Sequence, residues 1–446
     1  MASSPTPEHA TSAFEALVRN AQAEARLPSL SAAAFRGGEL VWQRALGVAD
    51  AERREEATPE HQYGVASITK SFVAAAVLQL RDDGKLTLED ALSQHLPDVA
   101  HGSLTIRAML AHLSGLQREP PGDIWETLQA PSREELLAGL GEAEQVLPPN
   151  EEWHYSNLAY ALLGELITRV SGAEFARHVD ERLLRPVGLE HTGWTPTRPA
   201  TPYYVEPYSD AATVEPQLEH SGADAAGGLW STAADIARWA AFLADPDPAV
   251  LSAESARQMR TVRTIIDDGW TSGHGLGLQM WRRGERVFAG HTGGLPGFSS
   301  IFAWLPKENA GAVILTSSGH WPQLVQTGLK LVETVADELP SVREEWRPDA
   351  PPPEDVAPLL GRWWSEGSEF VFSWHGRLEA RIADVPTVLE PAVFEREGDG
   401  VWRTVSGRER GELLRVVRGD DGEVRKLYWA TYPFTRDAQS FGAGRS

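Results

Sequence analysis

Residues 64–86 read GVASITKSFVAAAVLQLRDDGKL, and their spacing predicts a helix that begins beside a serine and a lysine. Apolar side chains recur every four residues from Phe72 to Leu80, as they do on one face of a helix. The Asp-Gly pair that follows is typical of a helix C-terminus. Ser67 and Lys70 are three residues apart, so a helix that starts here places both side chains on the same face.

The pair formed by Ser67 and Lys70 has the composition of an activated nucleophile. A serine hydroxyl attacks a carbonyl only when a base takes its proton, and a lysine whose pKa is lowered by burial can serve as that base. At a helix N-terminus the Ser67 N–H can also stabilise a developing oxyanion. A surface serine and lysine on an ordinary helix can have the same spacing, so this motif alone does not establish a catalytic site.

The composition indicates a large protein without cysteine chemistry. The chain has 446 residues, 42% of them hydrophobic, which suffices for a large core and exceeds a typical single domain. A net charge of -22 and a pI near 5.0 argue against a nucleic-acid partner or an anionic membrane surface. The absence of cysteine excludes disulfides, thiolate metal sites and a cysteine nucleophile. No apolar stretch reaches the length of a signal peptide or a membrane span, so we expect a soluble, cytoplasmic protein.

The order of apolar segments predicts an α+β fold. A β-hairpin is indicated by LSAAAF and ELVWQRALGVAD, which flank a turn at Arg36-Gly37-Gly38, and the pattern from about 85 to 200 is mainly helical. Short apolar segments return after residue 273 with breaks too short for parallel crossovers: GLGLQMWRR, RVFAGH, FSSIFAWLP and AGAVILTSS. We therefore expect an antiparallel sheet flanked by helices, built from both ends of this region, with a mostly helical subdomain inserted between them.

The chain is predicted to have a main domain and a small appendage. Residues 1–340 are assigned to the main α+β domain, and the Pro-rich, acidic residues 341–355 are interpreted as a linker. Residues 356–446 are predicted to form a small all-β domain, a barrel or a sandwich. Aromatic residues there recur at strand spacing, and LLRVVRGDDGEVRKLYW has the Asp-Gly turn of a hairpin.

A second motif, Tyr155-Ser156-Asn157, directly precedes another helical pattern. A tyrosine hydroxyl can carry a proton, and an asparagine amide can bind a substrate carbonyl. The alternative interpretation is that Ser156 or Asn157 only caps the N-terminus of the helix.

A third motif lies in AGHTGGLPGFSS, residues 289–300, between two predicted strands. Glycines allow a substrate and the backbone to approach each other closely. His291 and Thr292 could contact a substrate, and the N–H of Gly294, after Gly293, could complete an oxyanion hole. The alternative is a glycine-rich turn that contains an unrelated histidine.

Other polar and aromatic residues give weaker signals. His112 in AHLSGL is interpreted as structural, and His274 in GHGLGL could border a cleft. Tyr203 and Tyr204 lie in a predicted loop that could border the pocket, but nothing distinguishes them from surface aromatics. The sequence has no zinc-binding His-Glu-x-x-His, P-loop, Gly-x-Ser-x-Gly elbow or dinucleotide fingerprint. We therefore expect neither a cofactor nor a metal.

Taken together, the three motifs resemble the serine β-lactamase and penicillin-binding-protein family, and in particular its class C β-lactamase branch, serine peptidase family S12. This branch carries Ser-x-x-Lys, Tyr-x-Asn and Lys-Thr-Gly in the same order. The resemblance covers residues 12 to about 335 and includes flanking segments in matching order: LTIRAMLAHLSGL, YALLGELITRVSG, RLLRPVGLEHT, AAGGLWSTAADIARWAAFL and GHGLGL. The C-terminal all-β domain lies beyond it.

The resemblance implies a role for each motif residue. Ser67 would be the acylated nucleophile, and Lys70 and Tyr155 would share the proton that it releases. Asn157 would bind the acyl side of the substrate. The oxyanion hole would be formed by the N–H groups of Ser67 and Gly294.

One position departs from the β-lactamase pattern, because His291 stands where those enzymes have lysine. Within the family, His-x-Gly is more typical of D,D-peptidase, D-aminopeptidase and esterase relatives, and imidazole is a weaker anchor for a carboxylate near neutral pH. We therefore expect a serine hydrolase that acts through acyl-Ser67 on small esters, amides or short peptides. The esterase or D-amino-acid peptidase type fits better than a true β-lactamase.

Three alternatives remain open from the sequence. The protein could be a β-lactamase or a penicillin-binding D,D-peptidase after all. It could be a non-catalytic sensor of the same fold that binds β-lactams or peptides. The C-terminal all-β domain could also be the functional module, either binding a partner or covering the cleft.

Overall fold

The computed structural model divides the chain into two compact units, Met1–Val342 and Arg343–Ser446. The predicted linker at 341–355 falls partly outside the described residues. The structure describes residues 6–97, 99–339, 347–348, 350–383 and 391–441.

Helices occupy much of the first unit. The α-helices are α1 (Glu8–Glu24), α2 (Thr69–Asp82), α3 (Ile106–Leu110), α4 (Ile124–Thr127), α5 (Arg133–Gly139), α6 (Asn157–Ser171), α7 (Phe175–Val179), α8 (Arg185–Val187), α9 (Asp224–Gly227), α10 (Ala233–Ala244), α11 (Ala253–Met259) and α12 (Leu324–Glu338). In the part of the chain that the structure describes, no helix combines the length and the apolar character needed to cross a bilayer.

Strands occur in both units, and the long strands of the first unit lie near its two ends in the chain. Those of the first unit are β1 (Ser29–Arg36), β2 (Glu39–Asp50), β3 (Glu55–Glu56), β4 (Tyr63–Gly64), β5 (Tyr203–Val205), β6 (Ala212–Val214), β7 (Trp230–Ser231), β8 (Thr264–Ile265), β9 (Ser272–His274), β10 (Gln279–Arg283), β11 (Arg286–Leu295), β12 (Phe298–Leu305) and β13 (Ala310–Thr316). Those of the second unit are β14 (Gly361–Ser365), β15 (Ser368–Trp374), β16 (Leu378–Ile382), β17 (Ala392–Gly398), β18 (Val401–Thr404), β19 (Leu413–Arg418), β20 (Val424–Trp429) and β21 (Tyr432–Phe434).

A nine-stranded antiparallel sheet forms the centre of the first unit, in the order β3-β2-β1-β13-β12-β11-β10-β9-β8. Strand β1 pairs with β2 on one side and with β13 on the other, so that Leu30 lies opposite both Leu46 and Thr316. The N-terminal hairpin is thereby joined to the C-terminal strands, with the helical region between them in the chain. The predicted α+β fold is confirmed.

The sheet is covered by helices on both faces, and strand β1 shows why. All its residues except Arg36 are buried, and alternate side chains enter different cores. Leu30 and Ala32 join a core with helices α1 and α12, whereas Ala33 and Phe35 join a core with α2 and α10. A strand buried on both faces is therefore a nearly continuous apolar run.

Helix α2 is buried around its whole circumference, not only along the face that the sequence pattern predicts. Every residue from Thr69 to Leu80 is buried. Phe72 stacks on Trp239 of α10 with 4.1 Å between ring centroids, and the Trp239 indole N–H donates to Ser71 Oγ at 2.9 Å. Any polar side chain on the first turn of α2 is consequently removed from bulk water.

The second unit is an eight-stranded antiparallel sheet, with the strands β14 to β21 in chain order. The sheet closes toward a barrel because Trp364 and Thr435 exchange backbone hydrogen bonds of 2.8 and 2.9 Å, which connect β14 to the end of β21. Its interior is aromatic, with Trp363, Phe372 and Trp429 among the buried side chains. The predicted all-β character of this region is confirmed.

Candidate active site

Ser67 lies in a 3₁₀ turn, Ala66–Ile68, that connects strand β4 to helix α2. Ala66 has a φ of 50°, a left-handed conformation that costs a residue with a Cβ free energy. Strand β11 packs directly against this turn, since a Cβ built on Gly293 would lie 2.2 Å from the carbonyl oxygen of Val65 and 3.0 Å from Ala66 Cβ. Only glycine at position 293 allows this contact, which holds the serine turn in place.

Lys70 lies in the first turn of α2 and is fully buried. Its Nζ donates to Ser67 Oγ at 3.1 Å and also to the carbonyl oxygen of Ala226. Burial lowers the pKa of Lys70 to about 7, while the Glu119 carboxylate acts in the opposite direction and Arg118 lowers it further. Near neutral pH a large fraction of Lys70 is therefore an uncharged amine, positioned to take the proton of the serine hydroxyl.

Tyr155 completes a group of three proton-carrying side chains. Ser67 lowers the pKa of the Tyr155 hydroxyl, but burial dominates and raises that pKa well above the usual range, so the phenol stays protonated. Lys70 Nζ lies 5.1 Å from the centroid of the Tyr155 ring, and the guanidinium carbon of Arg118 lies 5.0 Å from it. In this arrangement lysine is the group with a pKa suited to a base, and tyrosine can pass a proton as a neutral phenol.

Ser156 and Asn157 divide the two roles that the sequence left open. Ser156 is the N-cap of α6, because its Oγ accepts from the Ala159 N–H at 3.0 Å. The Asn157 amide instead donates to both carboxylate oxygens of Glu119, at 2.8 and 3.0 Å. Burial raises the pKa of Glu119, and the hydrogen bond from Asn157 opposes that rise.

Strand β11 has two different faces at the site. Thr292 and Gly294 face the cavity, and Gln279 of β10 fixes Thr292 by accepting from both its N–H and its Oγ1, at 3.1 and 3.0 Å. His291 is fully buried behind this wall, where its Nδ1–H donates to the Thr292 carbonyl oxygen at 2.6 Å. Burial lowers the pKa of His291 well below its usual value, so the imidazole is neutral.

Three buried histidines pack together behind the site. The His274 ring lies 4.7 Å from the ring of His112 and 6.1 Å from that of His291, measured between centroids. His112 also stacks on Tyr155 at 4.2 Å, and its Nδ1 accepts from the Ser156 N–H at 3.1 Å. The predicted structural role of His112 thus includes support of the tyrosine. Across the described residues, no group of His, Asp and Glu has an arrangement that could hold a metal ion.

The predicted site residues divide between the wall of one cavity and the layer behind it. The cavity has a volume of about 680 Å³. On its wall lie Ser67, Tyr155, Asn157, Thr292 and Gly294. Lys70, His291 and Gly293 do not line the cavity and are buried. Lys70 nevertheless contacts a wall residue, because its Nζ donates to Ser67 Oγ.

Several wall residues were missed by sequence reasoning: Arg118, Glu119, Trp125, Trp153, His220 and Gln279. The first two follow the His-Leu-Ser-Gly-Leu segment in a loop that has no periodicity, so nothing in the pattern marked them. Gln279 had a usable signal, because it is the polar residue in an otherwise apolar stretch of sequence, GLGLQMW. A polar side chain there needs a partner, and Thr292 supplies it.

Comparison with known proteins identifies the family of most of the chain. The family model described as Beta-lactamase matches residues 14–336, and one described as a domain of unknown function (DUF7586) matches residues 352–436. The chain is 26% identical to protein flp of Staphylococcus aureus over 329 residues, and the match covers 70% of this chain. It spans 64% of the length of that relative.

Solved structures with a similar fold include an amidase and a penicillin-binding protein homologue. D-amino acid amidase from Ochrobactrum anthropi SV3 is 24% identical, with a TM-score of 0.64, and the match covers 74% of this chain and 99% of the amidase. The octameric penicillin-binding protein homologue from Pyrococcus abyssi is 22% identical, with a TM-score of 0.63, and covers 95% of this chain and 99% of its own. At these identities the likeness concerns the fold.

Proposed function

Since the chain belongs to the beta-lactamase family, we propose that it is a serine hydrolase that acts on small esters or amides through an acyl-Ser67 intermediate. The contact between Lys70 Nζ and Ser67 Oγ, 3.1 Å long, carries the proposal. It joins a hydroxyl that opens to the cavity with an amine whose pKa is lowered to about 7 by burial. A surface lysine would keep its charge and could not accept the proton.

In the acylation step, Ser67 Oγ attacks the carbonyl carbon of the substrate while its proton moves to the neutral Lys70 amine. The carbonyl oxygen gains the negative charge, for which the N–H groups of Ser67 and Gly294 are the proposed donors. The bond to the leaving group then breaks, and the leaving amine or alcohol receives a proton through the Tyr155 hydroxyl, which is re-protonated by Lys70. The products of this step are an ester on Ser67 and the free leaving group.

In the deacylation step, a water molecule takes the position of the departed leaving group. The water gives one proton to the neutral Lys70 amine, relayed through the Tyr155 hydroxyl, as its oxygen attacks the acyl-ester carbon. Cleavage of the ester returns the proton to Ser67 Oγ and releases the acid. Both steps use the same base, so a substitution of Lys70 affects both.

We propose esters and amides as substrates, in preference to β-lactams, because of the surroundings of His291. At this position, where β-lactamases have a lysine, the imidazole is buried and neutral and does not line the cavity. The cation on the wall, Arg118, lies over the Tyr155 ring, and its Nε is 3.5 Å from the Glu119 carboxylate. An anchoring charge for the carboxylate of a β-lactam is therefore weak. Because one structure of this fold is a D-amino acid amidase, D-amino acid amides belong in the substrate panel.

The test compares turnover of p-nitrophenyl acetate, D-alanine amide, D-phenylalanine amide and nitrocefin by the wild type and by Ser67→Ala. We expect turnover of the ester or of an amide, loss of that turnover in the variant, and an adduct on Ser67 with a serine-reactive phosphonate, measured by mass spectrometry. Ser12→Ala, a change to an exposed hydroxyl on α1, is the matched control and should keep full activity.

Two outcomes would contradict the proposal. One is unchanged ester turnover in Ser67→Ala. The other is a stable acyl adduct that is never released, which would instead support a non-catalytic sensor. Turnover of nitrocefin faster than of every ester and amide would retain the serine mechanism but overturn the proposed substrate class.

A further inference from the structure

A second cavity, with a volume of about 690 Å³, adjoins the first one. The two cavities share three wall residues, Trp125, Gly294 and Leu295. Gly294 belongs to the strand end that faces Ser67, so the second cavity begins where the proposed reaction site ends. A substrate longer than the first cavity could continue past Gly294 into this space.

Aromatic side chains form part of the wall of the second cavity. Tyr203 is buried and anchored, because its hydroxyl accepts from the Ala51 N–H at 2.7 Å and its own N–H donates to the Ser317 carbonyl oxygen at 3.2 Å. The alternation of strand β5 then turns the next residue, Tyr204, outward. Tyr204 and Trp125 remain 49% and 51% exposed although both line the cavity. A bound apolar chain would cover these aromatic surfaces.

Both signs of charge occur in this cavity, because Arg26 and Glu215 line it, together with His320. Glu215 lines it, and one carboxylate oxygen lies 3.7 Å from the position that a Cβ would take on Gly319, another wall residue. Within the described residues, the Glu215 carboxylate has no ion pair and no hydrogen bond. Arg26, which also lines the cavity, does not pair with Glu215, because its guanidinium already donates to the Glu206 carbonyl oxygen at 2.9 Å and contacts the Asp210 carboxylate at 3.3 Å.

We propose that the second cavity is a subsite for the far end of an extended substrate, an apolar chain that ends in an ammonium or guanidinium group. The proposal rests on the proposed ester or amide hydrolysis at Ser67. Aromatic side chains bind both methylene chains and cations, and a carboxylate gives a charge-assisted hydrogen bond to an ammonium group. Tyr204 and Trp125 would contact the chain, and Glu215 would bind its charged end.

The test uses three p-nitrophenyl esters: the acetate, the nonanoate and the aminooctanoate, whose ammonium group replaces the terminal methyl of the nonanoate. A second set, acetate esters of nonanol and of aminooctanol, places the long chain on the leaving-group side. In the set whose chain enters the second cavity, we expect Glu215→Gln to lower kcat/KM about tenfold for the ammonium substrate and to leave its neutral counterpart unchanged. Tyr204→Ala should lower kcat/KM severalfold for both long substrates of that set.

The controls separate this proposal from the proposed function. Neither Glu215 nor Tyr204 lines the first cavity, so both variants should hydrolyse p-nitrophenyl acetate at the wild-type rate. Tyr208→Ala, a change to a side chain that is 99% exposed and lines neither cavity, should alter no substrate. If Glu215→Gln changes neither set, or lowers all substrates equally, the subsite proposal is wrong. If Ser67→Ala still hydrolyses the acetate, the proposed function itself fails.

Discussion

Lys70 and His291 are two basic side chains buried in the same site, and burial gives them different chemistry. Both are fully buried, and desolvation is the main cause of a lowered pKa in each. The pKa of Lys70 falls from 10.5 to about 7, so its amine still exchanges a proton near neutral pH. The pKa of His291 starts at 6.5 and falls well below it, so the imidazole stays neutral. The same desolvation therefore produces a base from lysine and a neutral side chain from histidine.

Lys70 and His291 also differ in the groups that they contact. Lys70 donates to Ser67 Oγ and has the Glu119 carboxylate close enough to favour its charged form. His291 donates to a backbone carbonyl, and the charged forms of His274 and Lys70 both disfavour its protonation. In the proposed mechanism, a buried basic residue acts as the base only where it reaches Ser67 and keeps an opposing charge nearby.

The largest expected effect comes from replacing Lys70 with methionine, which keeps the length of the side chain without its amine. We expect Lys70→Met to lower kcat/KM for the preferred ester about a thousandfold, because the serine loses its general base. The exposed Lys85→Met, near the C-terminus of the same helix, is the control and should keep full activity. Burial of the Lys70 amine costs stability at any pH below its unfolded-state pKa, so Lys70→Met should not lower the unfolding temperature at pH 7. An unfolding temperature at or above that of the wild type therefore excludes unfolding as the cause of lost activity. Activity within tenfold of the wild type would show that Lys70 is not the base.

A second prediction concerns Gly293 on strand β11, the strand that also carries His291. In Gly293→Ala the new Cβ would lie 2.2 Å from the Val65 carbonyl oxygen, so either the strand or the Ser67 turn must move. We expect kcat/KM to fall about a hundredfold, mostly in kcat, because a displacement of about 1 Å at a nucleophile has this effect. Gly141→Ala, where a Cβ meets nothing within 4 Å, is the matched change. Equal activity of the two variants would contradict the role of Gly293 as a spacer.

The pH dependence of the reaction should report the pKa of Lys70. The neutral amine is the active form, so activity is present above the pKa of about 7 and is lost as the pH falls through it. Between pH 8 and pH 6 we expect kcat/KM to decrease about tenfold, the ratio of neutral amine at the two pH values. Substitution of Glu119 by glutamine should move this limb to lower pH, because its carboxylate favours the charged amine. A profile that is flat from pH 6 to pH 8 would exclude Lys70 as the titrating group.

Local sequence rules could predict some features of the site but not others. The spacing of Ser67 and Lys70 required only a helix, and short breaks between apolar segments required antiparallel neighbours, so local rules were sufficient for both. The direction in which His291 points could not be predicted in this way. Alternation places His291 and Gly293 on one face of β11 and Thr292 and Gly294 on the other, but only the packing of other elements decides which face borders the cavity.

Loop residues of the site were beyond local rules for a different reason. Arg118 and Glu119 follow no helical or strand period, and their place beside Lys70 depends on long-range contacts. One such contact is between the Asn157 N–H and the Arg118 carbonyl oxygen, at 2.6 Å. Helix α2 shows the related limit for burial, since its amphipathic pattern predicted one buried face although the fold covers all of them.

The smallest expected effect comes from His291→Gln, which removes the imidazole from the buried histidine group but keeps a polar side chain of similar length. Because His291 is neutral and does not line the cavity, we expect kcat/KM for the ester to stay within about threefold of the wild type. The acid limb of the pH profile should also stay at the position set by Lys70, since a neutral neighbour contributes no charge. The measurement is a full pH profile of wild type and variant, with Lys70→Met as the reference for a lost base. A shift of that limb by one pH unit or more would mean that His291 does carry a proton during the reaction, and the contrast between the two buried bases would no longer hold.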